Sequence, residues 1–419
     1  MFNRFRQTNQ LRQEWNEKGV AFAKGINDMV ALADLHGWDS WKGKEPQDER
    51  DHLAGPVLAL LRKANKKGKA AAFRADFPPA HAPFVHLLQD KGVSLEQFCC
   101  LPDNQIAFIA GTAYQRRQAY VLTGQSLHPL DATIDCIGQS PDKQIFALAT
   151  DQSIVTYQGW QGPQLAIFTQ HLEKQLRFSQ LIPFNNGRTL LLVSAGGIYL
   201  LTETSCRLIH PAADPENATK KRNLSMEHAA ISPDNQWLAV GDQDSEHRVL
   251  DAAGLPVAQI GPQSSYPHFA LFSASGDQLI ANSCHFYNGI TIGVSTQGMH
   301  GLIIPAYTAD ARYTVIDEQC RVYVGVAATG YYILGDAYGY IRAFSPTGQL
   351  LWRHFLGSTI SGMTLSNNGC ILWVGTCAGI LHQLHLGKGH RDNQTIGTGS
   401  HYEDFRILLW KDEPTPLVW

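Results

Sequence analysis

The spacing of hydrophobic and polar positions along the chain changes near residue 90. Before that point, apolar residues recur every three or four positions from Leu11 to Ala33, although two glycines interrupt the pattern. This spacing predicts an amphipathic helix that stops at His36. A second helix is predicted over Leu53 to Lys67, with Gly68 as the residue that follows its carboxyl end. A proline-rich stretch then ends the helical pattern.

From Val93 onward the period of the pattern is two. Short runs of Val, Ile, Leu, Phe and Tyr alternate with turn residues almost to the C-terminus, which is typical of an all-β fold. We therefore predict a helical region over residues 1–90, a β domain over residues 91–410 and a short tail over residues 411–419.

The β region contains an internal repeat. A turn rich in Asp, Asn, Pro and Gly precedes a strand that ends in small residues, and the clearest copy begins at Ser232. Seven such turns are centred at positions 103, 142, 186, 234, 276, 329 and 368. Their average spacing is about 44 residues, and a period of about 40–45 residues with four short strands per unit is typical of a β-propeller. One four-stranded sheet cannot bury both of its faces, whereas a ring of sheets can. The predicted fold is therefore mainly β, a propeller of about seven blades with a small N-terminal α-helical region.

The repeat also resembles known propeller families. The Ser-Pro-Asp turns at Ser140 and Ser232, each followed by a strand with small residues, resemble the repeats of WD-repeat propellers. The copy that begins at Asp336 and ends Ser-Pro-Thr-Gly-Gln-Leu-Leu-Trp is similar to a repeat of the quinoprotein-type propellers. The resemblance spans roughly residues 93–385; the repeats contain no Trp-Asp dipeptide, and the tryptophan motif occurs once. It implies a propeller fold.

A second tight hairpin recurs within the units, marked by Gly or Asn, because these residues supply the positive φ that such turns need. One of these turns is predicted at Asn288-Gly289. Two ways of closing the ring stay open. The apolar run from Asp404 to Trp410 could complete the last unit, or a strand around Ala71–Phe77 from the helical region could close it.

Composition and charge restrict the class of protein. The 419 residues include 34 basic and 37 acidic side chains, and this balance argues against a generally basic nucleic-acid-binding protein. Residues 1–90 are net positive and the remainder is net negative, so we expect the helical region to dock on the ring by charge. No stretch approaches 18 uninterrupted apolar residues, and no apolar segment follows the N-terminal charges. Neither a membrane span nor a secretory signal is therefore expected.

The eight cysteines mostly lie in apolar, strand-like runs, as free thiols in a reducing cytoplasm do. We therefore expect a cytoplasmic protein. Some quinoprotein dehydrogenases carry adjacent bonded cysteines beside their cofactor, but the reducing compartment favours two free thiols at Cys99-Cys100. A superficially metal-like cluster comprises Cys377, His382, His385 and His390. However, His382 and His385 are three positions apart and so point to opposite faces of a strand. Because no zinc-type spacing accompanies them, neither a metal nor a cofactor is expected.

Two histidines are candidate residues of a central channel. His228 and His268 enter the inner strands of neighbouring units, where side chains approach the channel of a propeller. At one mouth of the channel they could bind an anion or a metal, or act as a base. Ordinary packing in the channel wall is the alternative that we favour.

Other candidates lie in inserted loops and in one basic run. Polar loops are predicted over residues 212–225 and 304–317, and Tyr and Arg in such loops are typical of interface hot spots. The candidate residues of the second loop are Tyr307, Arg312 and Tyr313. The basic run comprises Arg62, Lys63, Lys66, Lys67, Lys69 and Arg74. Cations at the end of a helix meet the negative end of its dipole, which favours a solvated helix end over a contact with protein, nucleic acid or anionic lipid.

No nucleophile elbow, phosphate-binding loop or dinucleotide fingerprint occurs, so known short motifs do not support catalysis. The leading hypothesis is a non-enzymatic, cytoplasmic propeller that acts as a scaffold for protein–protein interactions. The alternative is an enzyme, or a small-ligand or metal sensor, that uses the central channel. A protein partner is expected, and a nucleic-acid partner is not.

Overall fold

The computed structural model of the chain describes residues 2–79, 91–169, 177–212, 222–389 and 391–419. The helices in these ranges are α1 (Phe2–His36), α2 (Asp51–Lys66) and α3 (Ala70–Asp76). Gly37 follows α1 and Gly68 follows α2, both with positive φ. No helix of the described residues is both long enough and apolar enough to cross a membrane.

The described strands from residue 95 onward pair mainly in consecutive antiparallel meanders. The first meander contains β1 (Leu95–Cys100), β2 (Ile106–Ala110), β3 (Gln118–Thr123) and β4 (Ser126–Pro129), and the second contains β5 (Cys136–Gln139), β6 (Ile145–Ala149), β7 (Ile154–Gln158) and β8 (Gln164–Phe168). The third contains β9 (Phe178–Pro183), β10 (Thr189–Ser194), β11 (Gly197–Thr202) and β12 (Ser205–His210), and the fourth contains β13 (His228–Ile231), β14 (Trp237–Gly241), β15 (His247–Asp251) and β16 (Pro256–Ile260). The fifth contains β17 (Tyr266–Phe272), β18 (Gln278–His285), β19 (Asn288–Ser295) and β21 (Tyr313–Asp317), while β20 (Ile303–Ile304) adds to the edge of the fourth. The sixth contains β22 (Val322–Ala328), β23 (Tyr331–Asp336), β24 (Tyr340–Phe344) and β25 (Leu350–Phe355), and the seventh contains β26 (Ile360–Leu365), β27 (Ile371–Thr376), β28 (Ile380–His385), β29 (Tyr402–Leu408) and β30 (Leu417–Val418).

The first strand of each described meander lies on the inside of the molecule. These inner strands contact one another in a cycle, in the order β1, β5, β9, β13, β17, β22 and β26, and β26 contacts β1. Their first residues meet at one end of a central channel, because the inner strands run in the same direction. The fold is therefore mainly β and propeller-like, as the repeat predicts.

A serine hydroxyl explains the repeated turn between the first and second strands of several meanders. In the copy at Ser232, Oγ accepts a hydrogen bond from the Trp237 amide at 2.9 Å and donates one to Asp234 at 2.6 Å. The same arrangement joins Ser366 to the Ile371 amide and to Asn368. Each turn thus satisfies its own polar groups locally, which is why the Ser-x-Asp/Asn pattern recurs in the sequence.

The helices cover the last meander mainly by apolar contacts. Trp15, Phe73 and Phe77 pack with Trp410 and Trp419 in one buried cluster. Ion pairs of Arg62 with Glu413, Arg74 with Glu403 and Arg353 with Asp34 accompany these apolar contacts, so charge is one part of the docking. The run after Asp404 supplies β29, whereas residues 70–76 form α3, so the last meander is completed from the C-terminal side. Residues 411–419, expected as a tail, include β30, which pairs with β29.

α1 continues through both of its glycines and reaches the sixth meander. A Cβ atom at Gly19 would lie 2.5 Å from the ends of the Arg50 and Gln394 side chains, so a larger residue would displace them. Further along, Asn27 donates to the Thr395 carbonyl and accepts from the Gly397 amide, both at 2.9 Å. The helix is thereby attached to the segment between β28 and β29.

Candidate functional site

The central channel contains a cavity of about 780 Å³. Small residues on the inner strands, including Gly138, Ala229, Ala270, Gly325 and Gly362, line its wall and leave room at its centre. Its volume lies within the range of about 300–1,000 Å³ that is usual for ligand sites. Polar side chains are concentrated near the ends of the inner strands.

His228, at the start of β13, uses both of its ring nitrogens within the fold. Nδ1 lies 2.9 Å from the carbonyl oxygen of Met226, which can only accept, so Nδ1 carries the hydrogen. Nε2 then accepts from Nδ1 of His247, 3.0 Å away. Burial lowers the pKa of His228 to about 4, so its ring is neutral near pH 7. His228 thus lies in the channel wall with neither ring nitrogen free to bind a ligand.

His268, on β17, does not share the hydrogen bonding of His228. Both ring nitrogens are buried, and neither has a hydrogen-bond partner among the described residues. The ring packs edge-on against Tyr323, with 4.9 Å between ring centroids. Burial, together with the positive charge of Arg321, holds the pKa of His268 well below its usual range. The neutral ring therefore offers one donor and one acceptor.

Arg321 immediately precedes β22 and completes this group of side chains. Its guanidinium carbon lies 4.4 Å from the centroid of the Tyr323 ring, in a cation–π contact. Its amide donates to the Tyr287 carbonyl at 2.9 Å, and its carbonyl accepts from the Ala337 amide at 3.0 Å. Nε is buried without a partner, and the guanidinium pairs with no carboxylate in the described part of the chain. We call Arg321, Tyr323 and His268 the Arg321 stack.

Two carboxylates lie at the same end of the channel. Burial raises the pKa of Glu96, and a hydrogen bond from Ser94 opposes this rise. Glu227 accepts a hydrogen bond from the hydroxyl of Ser179. Glu96 lies on β1 and Glu227 directly precedes β13, so neither is on the strands of the Arg321 stack, and the positive charge of Arg117 acts on Glu96.

Aromatic side chains project to solvent beside the Arg321 stack. We define the aromatic surface as Tyr266, Phe286, Tyr287, Tyr323 and Tyr338, which are between 38% and 75% exposed. Ring contacts join four of them in two groups: Tyr287 lies 5.5 Å from Tyr338, and His285 lies 4.7 Å from Phe286 and 6.4 Å from Tyr266. A cluster of exposed aromatic rings is typical of a surface that binds another molecule.

Phe286, the most exposed of these residues, lies in a hairpin turn that begins two residues earlier than the turn predicted from the sequence. β18 and β19 pair as far as His285 and Asn288, so the turn consists of Phe286 and Tyr287 rather than Asn288-Gly289. Gly289 is needed for another reason, since a Cβ there would lie 2.6 Å from the Cys320 carbonyl oxygen. Two adjacent aromatic residues directly before Asn-Gly were the sequence signal that could have revealed this surface.

The predicted loop residues lie away from the channel: Tyr307 and Arg312 are between β20 and the outer strand β21, and Tyr313 is the first residue of β21. Arg312 pairs with Asp310 at 2.8 Å and donates to the Ile303 carbonyl at 2.9 Å. The Tyr313 hydroxyl donates to the Thr308 carbonyl at 3.2 Å, whereas Tyr307 is 68% exposed. The structure therefore does not bring these three residues together with His228 and His268. Most of the other predicted loop, residues 213–221, lies outside the described residues.

The arginines and the lysines of the basic run differ in their contacts. Arg62 pairs with Glu413, and Arg74 donates to the carbonyl oxygens of Trp419 and Glu403 at 2.9 and 2.8 Å. These two arginines therefore hold the C-terminal segment against the helices. The four lysines of the run, Lys63, Lys66, Lys67 and Lys69, are all exposed.

Cys99 and Cys100 are both buried and form no disulfide. Burial raises the pKa of each thiol, which keeps both protonated and weakly nucleophilic at neutral pH. Within the described ranges, no group of three or more His, Cys, Asp or Glu side chains is arranged to hold a metal ion. His382 lies 2.8 Å from Glu403 in a buried ion network instead.

No protein-family model matches the sequence, and no match was found among curated proteins. Solved structures with a similar fold include the computationally designed Ika8 protein, at 14% identity over 70% of this chain and 82% of that one, with a TM-score of 0.46. A chain of the mitotic checkpoint complex is 10% identical over 67% and 82%, with a TM-score of 0.46. A chain of Kuenenia stuttgartiensis hydrazine synthase is 13% identical over 60% and 76%, with a TM-score of 0.43. Similarity at this level says nothing about what this chain binds.

Proposed function

We propose that this chain is a seven-bladed β-propeller with an N-terminal helical region and that it acts, without catalysis, as a cytoplasmic scaffold for a protein partner. The observation that carries the proposal is the aromatic surface at one end of the channel. Exposed Tyr and Phe side chains lose little conformational entropy on binding and bury a large area, so they are well suited to an interface.

The remaining parts of the proposal have support of their own. Seven meanders among the described residues, with inner strands in a closed cycle, support the blade count. All eight cysteines are free, which is in keeping with a reducing compartment. The paired nitrogens of His228 and the raised pKa of the Cys284 and Cys377 thiols support a role other than catalysis.

The experiment that tests the scaffold is affinity capture from the cells that naturally make the protein, followed by mass spectrometry. Wild type is compared with the triple variant Phe286→Ala, Tyr287→Ala and Tyr338→Ala, which removes three rings of the aromatic surface. Tyr307→Ala is the control, because the 68% exposure of Tyr307 falls within the 46–75% range of the three rings but Tyr307 lies on the outer loop. We expect a partner to be lost from the triple variant and retained by the control. Equal recovery with all three proteins would show that the aromatic surface is not the interface.

A further inference from the structure

The Arg321 stack contains polar groups that the described residues leave without partners. The guanidinium has no carboxylate beside it, its Nε is buried and unpaired, and both ring nitrogens of His268 are buried and unpaired. Leaving such groups without hydrogen bonds costs about 1–3 kcal/mol each, and more for a charged group. Arg321 and His268 both contact the ring of Tyr323, which belongs to the aromatic surface.

We infer that Arg321 and His268 form a binding site for a carboxylate, and that an acidic side chain of the partner polypeptide occupies it. The guanidinium would donate to the carboxylate oxygens in the charge-assisted geometry that this group favours. The neutral imidazole of His268 would donate from one ring nitrogen. This inference rests on the proposed function, because the acidic residue belongs to a chain that covers the aromatic surface.

Charge selects a carboxylate over other ligands. The stack is cationic, so it disfavours an ammonium or guanidinium group. It has one formal positive charge, which balances the single charge of a carboxylate but only half of the charge of a doubly ionised phosphate. A polypeptide is favoured over a free carboxylate because the stack opens onto the aromatic surface, which a small acid would leave uncovered.

The test is a selection of peptides from a random 12-residue library displayed on phage, with the full-length protein as the target. Selected peptides are synthesised with blocked termini, each alongside an analogue in which every Asp or Glu is replaced by Asn or Gln. Affinities are measured by calorimetry for wild type, Arg321→Gln, Arg321→Lys and Arg312→Gln. Arg312 is the matched control because it lies on the outer loop with Asp310 as its partner. Thermal unfolding verifies that each variant is folded.

We expect the selected peptides to contain Asp or Glu, and both the neutral analogue and Arg321→Gln to bind roughly tenfold more weakly or worse. Arg321→Lys should retain part of the affinity, and Arg312→Gln all of it. Arg321→Glu should in turn bind analogues in which the acidic residue is replaced by Lys.

The two proposals fail in different ways. Peptides that bind the aromatic surface without any acidic residue, and that bind Arg321→Gln as tightly as wild type, would overturn the carboxylate site and leave the scaffold standing. A selection that yields no peptide would count against both. Tight binding of an acidic peptide that is unchanged by both Arg321→Gln and the neutral analogue would also overturn the carboxylate site.

Discussion

Phe286 has a backbone φ of 54°, in the left-handed region that favours glycine, and its side chain is 75% exposed. An aromatic side chain at such a position destabilises the turn and receives little packing in return. Eight other described non-glycine residues have a positive φ, but Phe286 is the most exposed aromatic residue among them. At the residue scale, stability therefore favours glycine at position 286, whereas binding favours the phenylalanine ring.

Phe286→Gly should separate these demands. Glycine adopts a positive φ without strain, so the free energy of unfolding should rise by about 1 kcal/mol, while partner binding weakens through loss of the ring. Urea denaturation measures the first effect and calorimetry with the partner measures the second. Phe286→Ala is the comparison, since it removes the ring and keeps the strain. A variant that is both less stable and unchanged in binding would contradict this account of Phe286.

The properties of the two channel histidines, His228 and His268, were only partly predictable from the sequence. Their positions on inner strands followed from the repeat. The difference between their hydrogen bonds did not follow from the repeat. It depends on a third histidine, His247, which lies 19 residues after His228 and donates a hydrogen bond to it. Arg321 was missed for a similar reason: its lack of a partner is a property of its three-dimensional surroundings.

At the element scale, the second and third meanders are joined by one parallel bridge between Gly138 and Leu181. A Cβ atom at Gly138 would overlap the carbonyl oxygen of Leu181. Two inner strands thus approach more closely than any other residue would allow, which draws the two sheets into a continuous eight-stranded arrangement.

Gly138→Ala should therefore destabilise the protein by about 1–3 kcal/mol, the usual effect of forcing an extra methyl group into a packed site. Gly55→Ala is the matched control, because Gly55 lies in α2 with no atom within 4 Å of its Cβ position. There the substitution should stabilise the helix by up to about 1 kcal/mol. Denaturation midpoints measured for both variants test the difference, and a neutral Gly138→Ala would refute the close approach.

The attachment of the helices to the last meander depends strongly on Trp419. Its side chain is 2% exposed, lies 6.1 Å from Trp15 between ring centroids, and donates to the Phe77 carbonyl at 2.8 Å. Trp419→Ala should cost about 3–5 kcal/mol and make residues 1–79 more sensitive to protease. Trp38→Ala is the control, since Trp38 is 58% exposed and its loss should change stability by less than about 0.5 kcal/mol. Equal protease resistance in the two variants would argue against a docked helical region.

The strand turns were predictable because each is stabilised by residues within a few positions of one another. The packing of residues 411–419 was not predictable, because Leu417 and Trp419 are buried by helices more than 340 positions earlier in the sequence. Likewise, only the folded chain shows that Gly19, which weakened the helix pattern, lies directly against the side chains of Arg50 and Gln394.

At the scale of the whole molecule, buried histidines link folding to pH. Burial lowers the pKa of both His228 and His401 to about 4, below the ordinary value of 6.5. In the unfolded chain these rings bind protons as the pH falls below 6.5, whereas the folded chain excludes them until about pH 4. The unfolded state therefore gains protons first, and the folded state loses relative stability across this window.

The free energy of unfolding should thus fall between about pH 6.5 and pH 4, by up to about 1.4 kcal/mol per pH unit for each such histidine. Urea titrations at several pH values measure the slope. His401→Gln should reduce the slope in this window, because one proton-linked group is removed. A stability that is independent of pH over the window, or an unchanged slope in the variant, would disagree with this account.

The central claim is that the aromatic surface holds a protein partner, and site-specific photocrosslinking tests it most directly. A photoreactive benzoylphenylalanine is placed at position 286, where it resembles the natural Phe, and separately at position 255, where Leu255 is 56% exposed on the outer part of the ring. Irradiation in the native cells should yield one discrete polypeptide adduct from position 286. That adduct should disappear when Arg321→Gln is added, and position 255 should not yield it. The same adducts from both positions, or none from position 286, would contradict the account.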